Sequence, residues 1–144
     1  MDDKAQAFLE RNRSAAMITL RKDGTPHVAR VAIILVDGKI WSSGTHARLR
    51  TKHLRRDPRC SLFVFEDGNA GFLGLETEVT ILDGPDAPDL NLRLFKLMQP
   101  DAPPGKLNWF GQPNTYDEFR EMMVRDGRLI YQLEVKRAYG ITGL

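Results

Sequence analysis

Asp-Gly pairs punctuate this sequence and limit what it can fold into. Asp23-Gly24, Asp37-Gly38 and Asp67-Gly68 each stand between runs rich in β-branched and aromatic residues, while Asp83-Gly84 and Asp126-Gly127 close longer segments. Such a pair reverses the chain tightly, and between alternating runs it marks a hairpin. Ala15 to Leu20, Pro26 to Val36 and Lys39 to Ser43 are the first runs, so residues 14–43 are predicted to form a three-stranded antiparallel meander. Cys60 to Phe65, residues 70–82 and Arg128 to Val135 are predicted strands as well. Gly71 and Gly74 predict a bulge or sharp curvature in the 70–82 strand, as in a barrel wall.

Short helices are predicted at 3–12, from about His46 to Asp57, at 86–99 and at 115–126. Pro58 stops the second of these. Thr115 and Glu118 give the last a capping box. Residues 100–114 are rich in Pro and Gly and read as a loop, yet they hold Trp109 and Phe110, which must cover a core, a ligand or a partner chain. Many short strands and few short helices define a mainly β (α+β) fold. Six or seven antiparallel strands close into a small barrel more readily than they form an open sheet.

With 144 residues, the chain is expected to be one domain over 1–144. A formal net charge of +2 excludes a general polyanion binder. The lone cysteine, Cys60, excludes an internal disulfide and begins an apolar strand, so it reads as a core thiol. The start, MDDKAQ, does not resemble a signal peptide, and no apolar run reaches membrane-spanning length. A cytoplasmic protein that does not contact the membrane is expected.

The basic excess is local. Residues 46–59 hold Arg48, Arg50, Lys52, Arg55, Arg56 and Arg59 against the single acid Asp57. Arg48, Lys52 and Arg55 share a helix face, and Ser42, Ser43, Gly44 and Thr45 lead into it. A small polar turn entering a helix N-terminus binds anions through free N–H groups and the helix dipole. Arg and Lys add charge-assisted partners for phosphate. The plain alternative is a solvated basic helix. Arg30 sits mid-strand between Ala29 and Val31, where a charge needs a partner or a site. It either pairs with Glu76 or Glu78, or joins Ser42, Ser43 and the helix around an anion. The histidines His27, His46 and His53 are scattered, with no metal-ligand spacing. GxSxG, Walker A and GxGxxG motifs are absent from the sequence.

The order of these features resembles a known family. Arg30-Val31-Ala32-Ile33-Ile34-Leu35, a hairpin, Ile40-Trp41-Ser42-Ser43, then a basic turn into Leu54-Arg55-Arg56-Asp57-Pro58 and a hydrophobic strand resemble the pyridoxamine 5′-phosphate oxidase-like split β-barrel superfamily. Within it the chain is most similar to proteins using the deazaflavin coenzyme F420, because the basic stretch suits a phosphate plus a polyglutamate tail better than the one phosphate of FMN. The resemblance implies a split barrel that forms a homodimer, with cofactor between the subunits. Arg30 and the backbone of Val31, Ala32, Ile33 and Ile34 would edge the ring. Ser42, Ser43, Arg50 and Lys52 would hold phosphate, with Arg48 and Arg55 as further contacts. Trp109 and Phe110 would form a lid, or else belong to the core. Glu78 stands near a position where oxidase members carry a ring-contacting Gln, and the chain end, Val135-Lys136-Arg137-Ala138-Tyr139-Gly140, lacks an Arg-x-His substrate motif.

The expected function is therefore an oxidoreductase in which F420 carries hydride to a small organic substrate and the protein binds, orients and excludes water. The competing readings are an FMN flavoprotein of the same fold, a non-catalytic F420 carrier, and a nucleic-acid module on residues 46–59. The last lacks interleaved exposed aromatics and any duplex-reading motif. No histidine is placed to argue for haem.

Overall fold

A computed structural model describes residues 1–143. The elements run α1 (Asp3–Arg11), β1 (Ser14–Leu20), β2 (Pro26–Ala32), β3 (Ile34–Val36), β4 (Lys39–Thr45), α2 (Leu49–Arg56), β5 (Arg59–Phe65), β6 (Phe72–Leu82), α3 (Ala87–Met98), β7 (Lys106–Trp109), β8 (Gln112–Thr115), α4 (Tyr116–Arg125) and β9 (Arg128–Ile141). Seven strands form one antiparallel sheet in the order β2-β1-β5-β6-β9-β4-β3, and β7 and β8 form a separate hairpin.

The sheet's two edge strands, β2 and β3, are consecutive in the chain and separated only by Ile33. That connection forces the edges together and curls the sheet into a barrel split along this seam. The predicted continuous strand from Pro26 to Val36 is thus two strands with different neighbours. β2 pairs with β1, and β3 pairs with β4. Both expected hairpins exist, but the simple meander does not. The physical cause is visible in the burial. Ile33 enters the barrel core and still donates its N–H to the Arg13 carbonyl at 2.9 Å, the last bond on the β1 side, whereas Ile34 enters a second apolar cluster outside the barrel and pairs with Trp41. Two adjacent buried residues on opposite sides cannot belong to one half-exposed strand.

The barrel core holds Met17, Ile33, Leu62, Val64, Leu73, Leu75, Tyr131 and Leu133, and Phe8 and Leu9 of α1 join the same cluster. Phe8 is fully buried because the apolar positions of α1 share one face. Outside the barrel, Leu94 of α3 packs with Ile34, Trp41 and Ile130. A third cluster, Leu107, Phe119 and Met123, joins α4 to the β7–β8 hairpin.

Three further expectations change in detail. The 100–114 stretch is not only loop, because it contains β7 and its turn into β8. β9 continues to Ile141 rather than ending at Val135, pairing with β4 over its first half and with β6 along nearly its full length. The ladder irregularity lies between Glu76 and Thr77, opposite Lys136, and not at Gly71 or Gly74. Gly74 serves close approach instead, since a Cβ there would overlap the Tyr139 ring. Cys60 is buried and its thiol is pushed up to about 12 by burial, as a core cysteine should be. Among the described residues, no helix is long and apolar enough to cross a membrane, and no cluster of His, Cys, Asp or Glu could hold a metal ion.

Candidate cofactor site

The end of β4 and the start of α2 make one continuous polar corner. Ser42 to Thr45 finish the strand, residues 46–48 turn, and α2 begins at Leu49 rather than at His46. Arg48 is its N-cap residue and gives no side-chain cap, and the first turn holds no acid. The positive end of the helix is therefore left without a carboxylate. Thr51 clamps this turn to the barrel. Its buried hydroxyl donates to the Thr45 carbonyl at 2.6 Å and touches the Tyr131 hydroxyl. Gly44 makes room for that arrangement, since a Cβ there would strike the Tyr131 ring.

Arg50 lies half-buried with its guanidinium 5.7 Å from the Tyr131 ring centre. Its Nε is buried and has no hydrogen-bond partner. Burial, assisted by the charges of Arg48 and Arg128, lowers its pKa, while Tyr131 opposes the shift. An orphaned charged donor of this kind is costly unless an anion meets it. Arg48 and Lys52 are exposed on the same short helix start. Arg55 is different: it pairs with Asp83 at 2.9 Å and reaches His46 Nδ1 at 3.2 Å, so its charge is already neutralised.

The serines do not offer free hydroxyl protons. Ser42 donates to the Ala32 carbonyl at 2.8 Å, and Ser43 donates to Asn91 Oδ1 at 2.6 Å. Ser42 thus ties β4 to β2 across the seam, and Asn91, anchored to the Ala87 carbonyl at 3.0 Å, ties it to α3. Val31, Ile33 and Ile34 are buried, so within this stretch only Ala32 is exposed along the seam. Arg30 is exposed on the outer face of β2, with its Nε donating to Ser14 Oγ at 3.0 Å. It does not pair with Glu76 or Glu78; Glu78 lies 3.9 Å from Lys136. Arg30 lines an outer concavity of about 530 Å³ with Arg11, Arg13, Val28 and Phe65. Arg48, Arg50 and Lys52 thus all lie at the start of α2, Arg50 turned to Tyr131 and the other two exposed, and Arg30 lies roughly 7 Å up the strand from Ala32.

Sequence reasoning missed Arg128. It opens β9, its backbone lies opposite Thr45, and its guanidinium sits 5.0 Å over the Trp109 ring. Nothing local marks it, because only the β4–β9 pairing brings residue 128 to residue 45. Trp109 is half-buried against Phe95 and Phe119, so it belongs to the third core cluster. Phe110 is 87% exposed at the hairpin tip.

The fold is a split antiparallel barrel in which the turn after β4 leads into a helix whose start has no side-chain cap and no acid. The family model for pyridoxamine 5′-phosphate oxidase matches residues 1–100, and the chain belongs to that family. The family is described by an oxidase, which sets the chain among oxidoreductase-type split barrels. Among solved structures, a conserved hypothetical protein of Mycobacterium tuberculosis superposes with a TM-score of 0.74 at 21% identity, covering 99% of this chain and 85% of that one. An F420 reductase superposes with a TM-score of 0.68 at 19% identity over 93% of this chain and 94% of that one. A FAD-binding protein of Mesorhizobium loti gives a TM-score of 0.59 at 15% identity over 95% and 89%. At these identities the likeness concerns the fold.

Proposed function

We propose that this chain is an F420-dependent oxidoreductase acting on a small organic substrate as a homodimer. The observation that carries the reading is the corner at Arg48, Arg50 and Lys52, where three cations surround a helix start with no acid and Arg50 Nε has no acceptor. This excess suits a ligand with a phosphate and further negative groups better than one with a single phosphate. Arg50 and Lys52 would hold the phosphate, assisted by Arg48 and by the backbone N–H groups of the first turn of α2. The seam backbone from Val31 to Ile34 would border the ring, with Arg30 at its outer edge. Ser42 and Ser43 would fix the strand that frames the site, because their protons are committed to Ala32 and Asn91. A deazaflavin, when bound, supplies hydride chemistry from its ring. The chain's own part is binding, orientation and exclusion of water. This accounts for a site without an acid–base pair.

The homodimer is supported by the outer face of the sheet. Arg30, Ala16, Phe63, Gly74 and Tyr139 lie in register across five strands, and Phe65, Phe72 and Ile141 lie in the next outward row. Phe63 stacks on Phe72 with ring centres 5.7 Å apart. A contiguous aromatic face of this kind marks an interaction surface. Its row ends at Arg30, so a second copy seated there would wall the outer edge of the site.

Fluorescence titration with F420 and with FMN, side by side at two salt concentrations, tests the cofactor. F420 binding in the micromolar range or tighter, weakened by salt, with weaker FMN binding, is expected. A preference for FMN would move the chemistry to flavin on the same fold, and binding of neither would leave the basic corner a solvated surface.

A further inference from the structure

Two arginines at this corner are held in the same unusual way. Arg50 leans on Tyr131 and Arg128 leans on Trp109, at 5.7 Å and 5.0 Å from the ring centres. In both, the Nε is buried and makes no hydrogen bond. The Arg128 side chain is only 12% exposed, and its nearest carboxylate oxygen, on Asp126, is 3.5 Å away, too long for a strong bond. Arg50 has no ion-pair partner among the described residues, and Arg128 is brought to the same turn by its backbone, which lies opposite Thr45, and by the bond from the His46 N–H to the Gly127 carbonyl at 3.1 Å. Stacking covers the flat face of a guanidinium and leaves its N–H edges to bind. Two such groups, each with a buried Nε left without a hydrogen bond, are costly in the free protein. An anion that reaches both would relieve them together.

We infer that Arg128 provides a second anion subsite beside the Arg50–Lys52 phosphate site, so that the preferred ligand carries two anionic groups rather than one. The ligand class is a phosphoester with an additional phosphate or carboxylate. This rests on the cofactor reading above and deepens it. It assigns a specificity role to a residue outside the basic 46–59 stretch. It also gives the β7–β8 hairpin a task, since Trp109 is the plate that holds Arg128 in place.

The test is calorimetric titration of the full chain with inorganic phosphate and with pyrophosphate at low salt. The wild type is expected to bind pyrophosphate at least tenfold more tightly than phosphate. In Arg128→Gln that preference should fall below threefold while phosphate affinity stays within twofold. Asp126→Asn, which removes the competing carboxylate, should raise pyrophosphate affinity two- to threefold and leave phosphate unchanged. Arg128→Lys keeps the charge and serves where the glutamine variant folds poorly; it should retain part of the preference. A preference that survives in Arg128→Gln, or a wild type without one, overturns the second subsite. Lys52→Glu should weaken both ligands, and this separates the two readings: if Lys52→Glu acts and Arg128→Gln does not, only the subsite falls. If the wild type binds neither ion, the anion corner itself is refuted, and the subsite with it.

Discussion

At the scale of single residues, the structure separates cations that are free from cations that are paired. Arg50 and Lys52 are unneutralised, whereas Arg55 is held by Asp83. Arg50→Glu or Lys52→Glu should therefore weaken cofactor binding more than tenfold, since a charge-assisted hydrogen bond contributes about 1.5–3 kcal/mol. Arg55→Ala should cost much less. Fluorescence titration with unchanged circular dichroism checks this, and equal losses at Arg50 and Arg55 would contradict it. The basic cluster and its helix were legible in the sequence because charge density is a local property. The split between free and paired members was not, because Asp83 reaches Arg55 only through the fold. His53 gives a pH prediction. It is buried, with Nδ1 bonded to Thr19 Oγ1 at 2.9 Å and its ring 5.1 Å from that of His27. Burial first, then the charges of His27, Arg56 and Arg21, lower its pKa. The unfolded chain takes up this proton near its ordinary value of about 6.5 and the folded chain only at lower pH. Below about 6.5 the unfolded state holds more protons, so stability falls as pH drops through that window. Asp57 and Glu66 are held down to about 2 by their hydrogen bonds to Arg59 and Arg11, so they stay ionised over that range. Melting temperatures between pH 7.5 and 5.5 should drop in the wild type and drop less in His53→Gln; parallel curves would contradict the assignment.

At the scale of elements, two hairpins use the same turn with different residues. Asp37-Gly38 joins β3 to β4 with φ of 51° and 79°, and Phe110-Gly111 joins β7 to β8 with φ of 49° and 78°. Asp tolerates the left-handed region, while a bulky aromatic does so at a cost of roughly 1–3 kcal/mol. Phe110→Asn should accordingly stabilise the chain by about 1 kcal/mol, read as a raised urea midpoint with unchanged slope. A lowered midpoint would mean that the exposed ring makes a contact worth more than the strain. The comparison also explains which hairpins could be read from the sequence. Asp37-Gly38 is a strong turn signal, whereas Phe-Gly among prolines is not, so β7 and β8 lie hidden inside a predicted loop. The break at Ile33 was hidden for a different reason. Val31 to Val36 is uniformly apolar, and periodicity cannot locate a strand's change of partner within such a run. The helix at 115–126 was legible because its capping box is local, and Thr115 and Glu118 do form it.

At the scale of the whole molecule, one face of the sheet is poorly suited to water. Val28, Phe65, Tyr139 and Ile141 are 61%, 57%, 56% and 45% exposed on β2, β5 and β9 of the same sheet. Tyr139 covers Gly74 and Phe63 stacks between Phe65 and Phe72, so the surface is continuous rather than scattered. A stable interface buries about 800 Å² per partner around such an aromatic centre. On the homodimer reading, Phe65→Glu places a charge where a second copy would remove it from water, and that charge has no partner there. Light scattering after gel filtration should give twice the chain mass for the wild type and a single chain mass for Phe65→Glu. A wild type that runs as a single chain would contradict the reading. The same variant links this face to the cofactor corner. Phe65 is remote from α2 in the sheet order, yet it lines the concavity that Arg30 also borders. If the second copy walls the site, Phe65→Glu should weaken F420 binding together with dimerisation, and raising the protein concentration should restore both. Lys52→Glu should weaken binding at every concentration without changing the mass. Were Phe65→Glu to dissociate the dimer and leave affinity intact, each barrel would hold its cofactor alone, and the aromatic face would serve assembly only.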